Sequence, residues 1–303
     1  MVAKERASAE PILKKGSIMR SLFLCLLLLL PNLGWARGLR GNPPDLGMSV
    51  QELFGKWLRA AGGEASWKAL IDIKFDLTGT TKFAGLTVEK RVRHVHIKMQ
   101  PRLRIKMEYV DNDNKRVIFG LDGEGWFKYK EDIPIGKGRW DWRKPDVYDD
   151  FKSQDEVSYE LKGIGFWLGI PFLLQQPGAR LRFAGFLKPL NDGDKPLPII
   201  EVDLSDVGDW PIDMVIVALD PNDWQPVEAR YRFRGEENMP YTCVFFEFDQ
   251  TLGVKYPKVR VFYDDTKGNA EREELMENVV ANTWIHQDEF DRPKAQEHWR
   301  KRR

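Results

Sequence analysis

From Ile71 to Thr78 the chain alternates without a break. Ile71, Ile73, Phe75 and Leu77 are apolar, while Asp72, Lys74, Asp76 and Thr78 are polar. A period of two sends alternate side chains to opposite faces, so this stretch predicts a strand over 71–80 with one buried face. Ahead of it, Leu53, Phe54, Trp57, Leu58 and Ala61 recur at helical spacing. Ser49 and Glu52 stand three apart, as a capping box requires, and Gly62-Gly63 supplies the freedom that ends a helix. A helix over Val50–Ala61 therefore precedes the strand. Its apolar face must cover something, and the sheet that follows is the first candidate. Trp67 reads as a packing anchor at the seam.

The same two-sided pattern continues for most of the chain. Strands are expected over 87–99, 103–110, 116–121 and 126–129, with Asp111-Asn112-Asp113-Asn114 and Asp122-Gly123 as tight turns. Short turns imply an antiparallel meander. Residues 133–146, IPIGKGRWDWRKPD, read as loop. Helical segments are expected within Val147–Leu174, with a break near Gly163–Gly165 and a stop near Pro171 to Pro177. Strands resume at Arg180 and continue through LPIIEVDL, MVIVAL, PVEARYRF and YTCVFFEF to a last pair near 254–262 and 275–284. The fold class is mainly β (α+β), with about eleven antiparallel strands and covering helices.

The beginning of the chain follows another logic. Lys14, Lys15 and Arg20 precede the apolar run Ser21–Leu30, and Gly34-Trp35-Ala36 offers a small-x-small cleavage site. Residues 1–36 thus read as a secretory signal peptide, with Met19 as an alternative start. The run is short for a membrane span of roughly 20 residues; an uncleaved anchor is the other reading. Cys25 would leave with the signal, and it lacks the small residues that a lipidation site wants before it. Cys243 would then stand alone as a buried thiol. Residues 37–48 read as a linker, 49–286 as one folded domain and 287–303 as a polar tail. The expected location is the periplasm or another exported compartment.

A net charge of +1 gives no global basic field, so nucleic acid is not an expected partner. No phosphate loop, dinucleotide fingerprint or nucleophile elbow occurs, and the serines lie in no catalytic context. No cofactor is expected, and the protein reads as non-enzymatic. His94 and His96 share one strand face and could chelate a metal, but Arg91, Arg93 and Lys98 flank them, so a solvated face is the simpler reading and no metal site is expected.

The order of these signals resembles the outer-membrane lipoprotein carrier (LolA/LolB-like) superfamily. The carrying pieces are the leading helix with Gly62-Gly63, DGEGWF, the helical insertion, DPNDWQPVEARYRF, YPKVRVFY and NVVANTWIHQDEF, spanning Val50 to Arg292. The resemblance implies a curved antiparallel sheet, an unclosed barrel, with helices plugging its concave side. It implies binding of a lipid, acyl chain or lipidated ligand between sheet and helices, with a membrane-associated envelope partner. The longer insertion and missing lipidation box depart from the carriers, so generic lipid binding is the expectation that carries over rather than lipoprotein transfer. On this reading the stretch Ile164–Leu174 is a lid. The ligand-binding residues are Phe166, Trp167, Leu168, Phe172 and Leu173 from the lid, and Phe75, Leu77 and Ile105 from the sheet. The rival reading is a non-catalytic envelope scaffold with a filled core.

Overall fold

The alternation at Ile71 is realised as a strand, β1 (Asp72–Phe83), with Ile73, Phe75 and Leu77 buried on one side. It belongs to a computed structural model that describes residues 47–83, 86–99, 103–111, 114–121, 126–132, 137–141, 154–187, 196–208, 210–264, 269–285 and 290. Two helices precede β1: α1 (Val50–Ala60) and α2 (Gly63–Ala69). The predicted capping box is present. Glu52 N donates to Ser49 Oγ at 3.2 Å, and Ser49 N donates back to Glu52 Oε2 at 2.7 Å.

After β1 come β2 (Leu86–Lys98), β3 (Arg104–Val110), β4 (Lys115–Leu121), β5 (Trp126–Asp132) and β6 (Lys137–Asp141). Helix α3 (Gln154–Gly169) and a 3-10 turn (Phe172–Gln175) follow. The second series is β7 (Arg180–Leu187), β8 (Leu197–Asp203), β9 (Ile212–Leu219), β10 (Pro226–Phe233), β11 (Tyr241–Thr251), β12 (Val254–Asp264) and β13 (Asn269–Ala281). All thirteen form one sheet in the order β6-β5-β4-β3-β2-β1-β13-β12-β11-β10-β9-β8-β7. The two meanders are joined at the centre by antiparallel pairing of β1 with β13, Leu77 facing Met276. The outer places in that order fall to β6 and β7, so the chain between them must pass from one edge to the other. It does so through α3.

The core records that crossing. On one side, Leu161, Ile164 and Leu168 of α3 pack with Phe75, Leu77, Ile105 and Phe119 of the first meander. On the other, Phe166, Trp167 and Ile170 pack with Val217, Tyr231 and Phe245 of the second. A helix roughly 10 Å across touches both halves, so the sheet must curl around it. A helix apolar on both flanks is a buried plug. This is the unclosed, helix-plugged sheet that the resemblance implies.

Four details differ from the sequence reading. The stretch Lys137–Asp141, read as loop, is the edge strand β6. Trp67 lies on a short helix, α2, that was not foreseen, and it stacks on Phe172 with ring centroids 4.8 Å apart. Helix α3 runs unbroken through Gly163 and Gly165; a Cβ on Gly165 would sit 3.2 Å from Ile105 Cδ1, so this glycine brings helix and sheet close. Finally, α1 covers the far half of the sheet. Leu53, Phe54 and Trp57 pack with Val202, Val217 and Phe245, not with the strands that follow directly.

The expected signal peptide and most of the linker and tail lie outside the described residues. Within the stretch read as tail, Phe290 is fully buried. Cys243 is a buried free thiol, as expected, and burial pushes its pKa well above the ordinary value.

Candidate functional site

Between α3 and the second meander lies a cavity of about 440 Å³. Ligand pockets begin near 300 Å³. One wall is α3, through Glu160, Gly163, Ile164 and Trp167; the other is the sheet, through Ile212, Tyr231, Phe233, Tyr241, Phe262, Glu271, Arg272 and Glu274. The walls follow from alternation and register. Tyr231 and Phe233 share the covered face of β10, and Tyr231 stands opposite Tyr241 on β11. Phe262 of β12 stands opposite Arg272 of β13. Trp167 reaches into this face, with ring centroids 5.1 Å from Tyr231 and 5.9 Å from Phe262. Gly163 leaves it open, because a Cβ there would meet nothing within 4 Å.

The floor is ionic. Arg272 holds Glu160 with both ends of its guanidinium, Nη1 to Oε2 at 2.9 Å and Nη2 to Oε1 at 2.7 Å. Arg260 Nη2 donates to Glu274 Oε2 at 2.8 Å, and Arg272 also contacts Glu274. Arg93 Nη1 approaches Glu160 at 3.3 Å. Arg260 and Glu274 have side chains only 1% and 4% exposed, which makes this a buried pair. Its members face the helix because they sit in phase with apolar neighbours. Arg260 lies opposite Glu274, as Phe262 lies opposite Arg272.

Burial alone would raise the Glu160 carboxyl. The Arg272 guanidinium, aided by Arg93 and Arg260, outweighs it and holds the pKa at about 2, below an ordinary 4.5. Arg272 is pushed up, its own burial being overcome by Glu160 and Glu274. A carboxylate whose folded pKa is depressed contributes stability above its unfolded pKa and loses it as pH falls through the folded one. The melting temperature of the wild type should therefore exceed that of Glu160→Gln by a constant margin above pH 5. The margin should shrink between pH about 4.5 and about 2; a margin that stays constant to pH 2 would refute the assignment.

Of the eight residues chosen from sequence, Trp167 lines this cavity. Phe75, Leu77, Ile105, Leu168 and Phe172 come together as a packed cluster under the first meander. Phe166 packs in the second cluster beside Trp167, at 5.2 Å between centroids. Leu173 is half-buried. Sequence reasoning missed the aromatic wall of β10–β12 and the charged floor. The histidine pair lies on the opposite face, where His94 Nδ1 is 2.6 Å from Asp76 Oδ1. Among the described residues, no group of three or more His, Cys, Asp or Glu is arranged to hold a metal.

No family model and no curated protein matches the sequence. Solved structures match it in fold. A DUF1329 family protein from Desulfovibrio piger superposes with a TM-score of 0.50 at 9% identity, covering 80% of this chain and 98% of its own. A LolA superfamily protein from Nitrosomonas europaea gives a TM-score of 0.48 at 8% identity, covering 81% of this chain and 99% of its own.

Proposed function

We propose that this is an exported, non-catalytic envelope protein that binds a lipid or other amphiphile in the cavity between α3 and strands β9–β13. The observation that carries the reading is the cavity itself: about 440 Å³, walled by Trp167, Tyr231, Phe233 and Phe262, with a helix for a roof. Burying an alkyl chain against such walls gains about 0.8 kcal/mol per methylene, so a modest chain offsets local rearrangement. The resemblance of the sequence to the LolA/LolB-like superfamily supports the reading at the level of fold. The expected signal peptide over residues 1–36 supports export. The ligand-binding residues on this reading are Trp167 with Ile164, Tyr231, Phe233, Tyr241 and Phe262, rather than the packed cluster around Phe75, Leu77 and Ile105.

Gly163 provides the test. A leucine there would project into open space from a helix, where leucine is favoured over glycine by under about 1 kcal/mol. The Gly163→Leu variant should melt no lower than wild type and bind 1-dodecanol at least about tenfold more weakly by calorimetry. Failure of the wild type to bind either dodecanol or dodecanoate would favour the filled-core scaffold. Unchanged binding by Gly163→Leu would move the ligand elsewhere.

A further inference from the structure

The outer face of the first meander, opposite the plug, carries its charge unevenly. Ile73, Phe75 and Leu77 are buried on the inner face, so Asp72, Lys74 and Asp76 stand on the outer one. Pairing extends each of these into a cross-strand row. The Asp72 row continues through Lys98 to Arg104, and the Lys74 row through His96 to Lys106. The Asp76 row continues through His94 to Glu108, with exposed Glu277 at its other end. In that third row Asp76 accepts from Asn278 Nδ2 at 2.7 Å and meets His94, while Arg116 holds Glu108. The first two rows, nearer the end of the sheet, set Lys74, Lys98, Arg104 and Lys106 against a single carboxylate, Asp72.

That carboxylate is taken up by the chain leaving β13. Asp72 Oδ1 accepts from Thr283 N at 2.8 Å and Thr283 Oγ1 at 2.9 Å, and Oδ2 accepts from Ile285 N at 3.3 Å. Asp72 is left only 1% exposed. Between the two anchored residues stands Trp284, 76% exposed and with a φ of 56°. A left-handed backbone is unusual under a bulky side chain, and an exposed indole forgoes the gain of burial. The Asp72 clasp holds it there nonetheless. Val280, opposite Lys74 on β13, is exposed as well. A tryptophan and a valine thus stand in water beside a cluster of cations.

We propose that this end of the outer face docks on a lipid bilayer bearing anionic head groups. Trp284 and Val280 enter the interface, and Lys74, Lys98 and Arg104 lie over the head groups. Tryptophan is at home at the level of lipid head groups, where one end of the ring is apolar and the other wet. Lysine and arginine near an anionic leaflet each add attraction. A nucleic acid could use the cations and stack on the indole, but Val280 gains only from an apolar phase. This docking is independent of the amphiphile reading, because the cavity lies on the inner face of the sheet, under α3.

The test sediments the chain, purified after export, with vesicles of phosphatidylcholine alone and of phosphatidylcholine and phosphatidylglycerol mixed two to one. Binding to the mixture should be at least about tenfold tighter, and high salt should weaken it. The double variant Lys98→Gln with Arg104→Gln should lose at least about tenfold on the mixture, at about fivefold per charge. Trp284→Asn should lose at least about fivefold there. Asparagine takes a left-handed backbone readily, so the melting temperature of that variant should match wild type. Gly163→Leu, which closes the cavity, should bind vesicles as wild type does. Equal binding to the two kinds of vesicle, binding to neither, or wild-type binding by both outer-face variants overturns the docking proposal. Loss of vesicle binding in Gly163→Leu would make the cavity the point of contact and overturn it too. Binding of poly-glutamate or single-stranded DNA in place of vesicles would assign the face to an acidic polymer and overturn the membrane as occupant. A chain that ignores vesicles yet binds dodecanol overturns the docking and leaves the amphiphile reading standing.

Discussion

Glu274→Leu is expected to destabilise the fold by about 3–5 kcal/mol in urea unfolding, the cost of leaving one member of a buried ion pair alone. Arg260 has a side chain only 1% exposed, and its hydrogen bond is to Glu274. With leucine opposite, the guanidinium keeps its charge and loses its acceptor. Arg272 is less affected, because its two-pronged contact with Glu160 remains. The paired change Arg260→Met with Glu274→Leu removes both charges together and should recover most of the loss. Replacement of a buried pair by apolar groups is often neutral. A single-variant cost below about 1 kcal/mol, or a double variant less stable than the single one, would contradict this account.

Much of the fold was legible because periodicity reports which residues share a face. The alternation of Ile73, Phe75 and Leu77, of Ile105, Met107 and Tyr109, and the Ser49–Glu52 cap all appear in the structure as read. Asp111 and Asn114, the two ends of the expected turn, also behave as read. Asp111 Oδ1 accepts from Lys115 N at 2.8 Å, and Asn114 takes a φ of 59°. What periodicity does not report is the partner. The pairing of β1 with β13 joins segments about two hundred residues apart, and nothing local marks it. That pairing sets β1 beside the second meander, against which α1 packs. The edge strand β6 was missed for a different reason: KGRWD is short, with glycine and charge where alternation would show.

The site was half legible. An apolar insertion pointed to α3 and to Trp167, but its glycines suggested a break where they serve close packing and open space. The floor left a signal that passed unread. Arg260 is two residues before Phe262, which packs partly buried against the second cluster, and Glu274 is two before the buried Met276, so each is in phase with the core face. A charge in register with a core face means either a wrong register or a buried network. Here it is the network.

Gly62→Ala should cost about 2–5 kcal/mol, and a comparison with Gly63→Ala separates its causes. Gly62 has φ +111°, outside the range that residues with a side chain adopt readily. A Cβ there would stand 1.9 Å from the carbonyl oxygen of Gly253 and 3.1 Å from Val254 Cα, both backbone atoms. No rotamer relieves such a contact. The turn between β11 and β12 is pressed against the joint of α1 and α2, and Lys255 N donates to Ala61 O at 2.9 Å to hold it there. Gly63 has a positive φ too, +79°, yet a Cβ on it would meet nothing within 4 Å. Gly63→Ala should therefore show only the backbone term, about 1–2 kcal/mol. Gly62→Ala adds overpacking worth typically 1–3 kcal/mol, or drives α1 off the sheet. Equal unfolding midpoints for the two variants would show that the contact with Gly253 is not what fixes this joint. A lower midpoint for Gly62→Ala, with loss of fluorescence from buried Trp57, would show that the covering helices hang on a single approach of backbone to backbone.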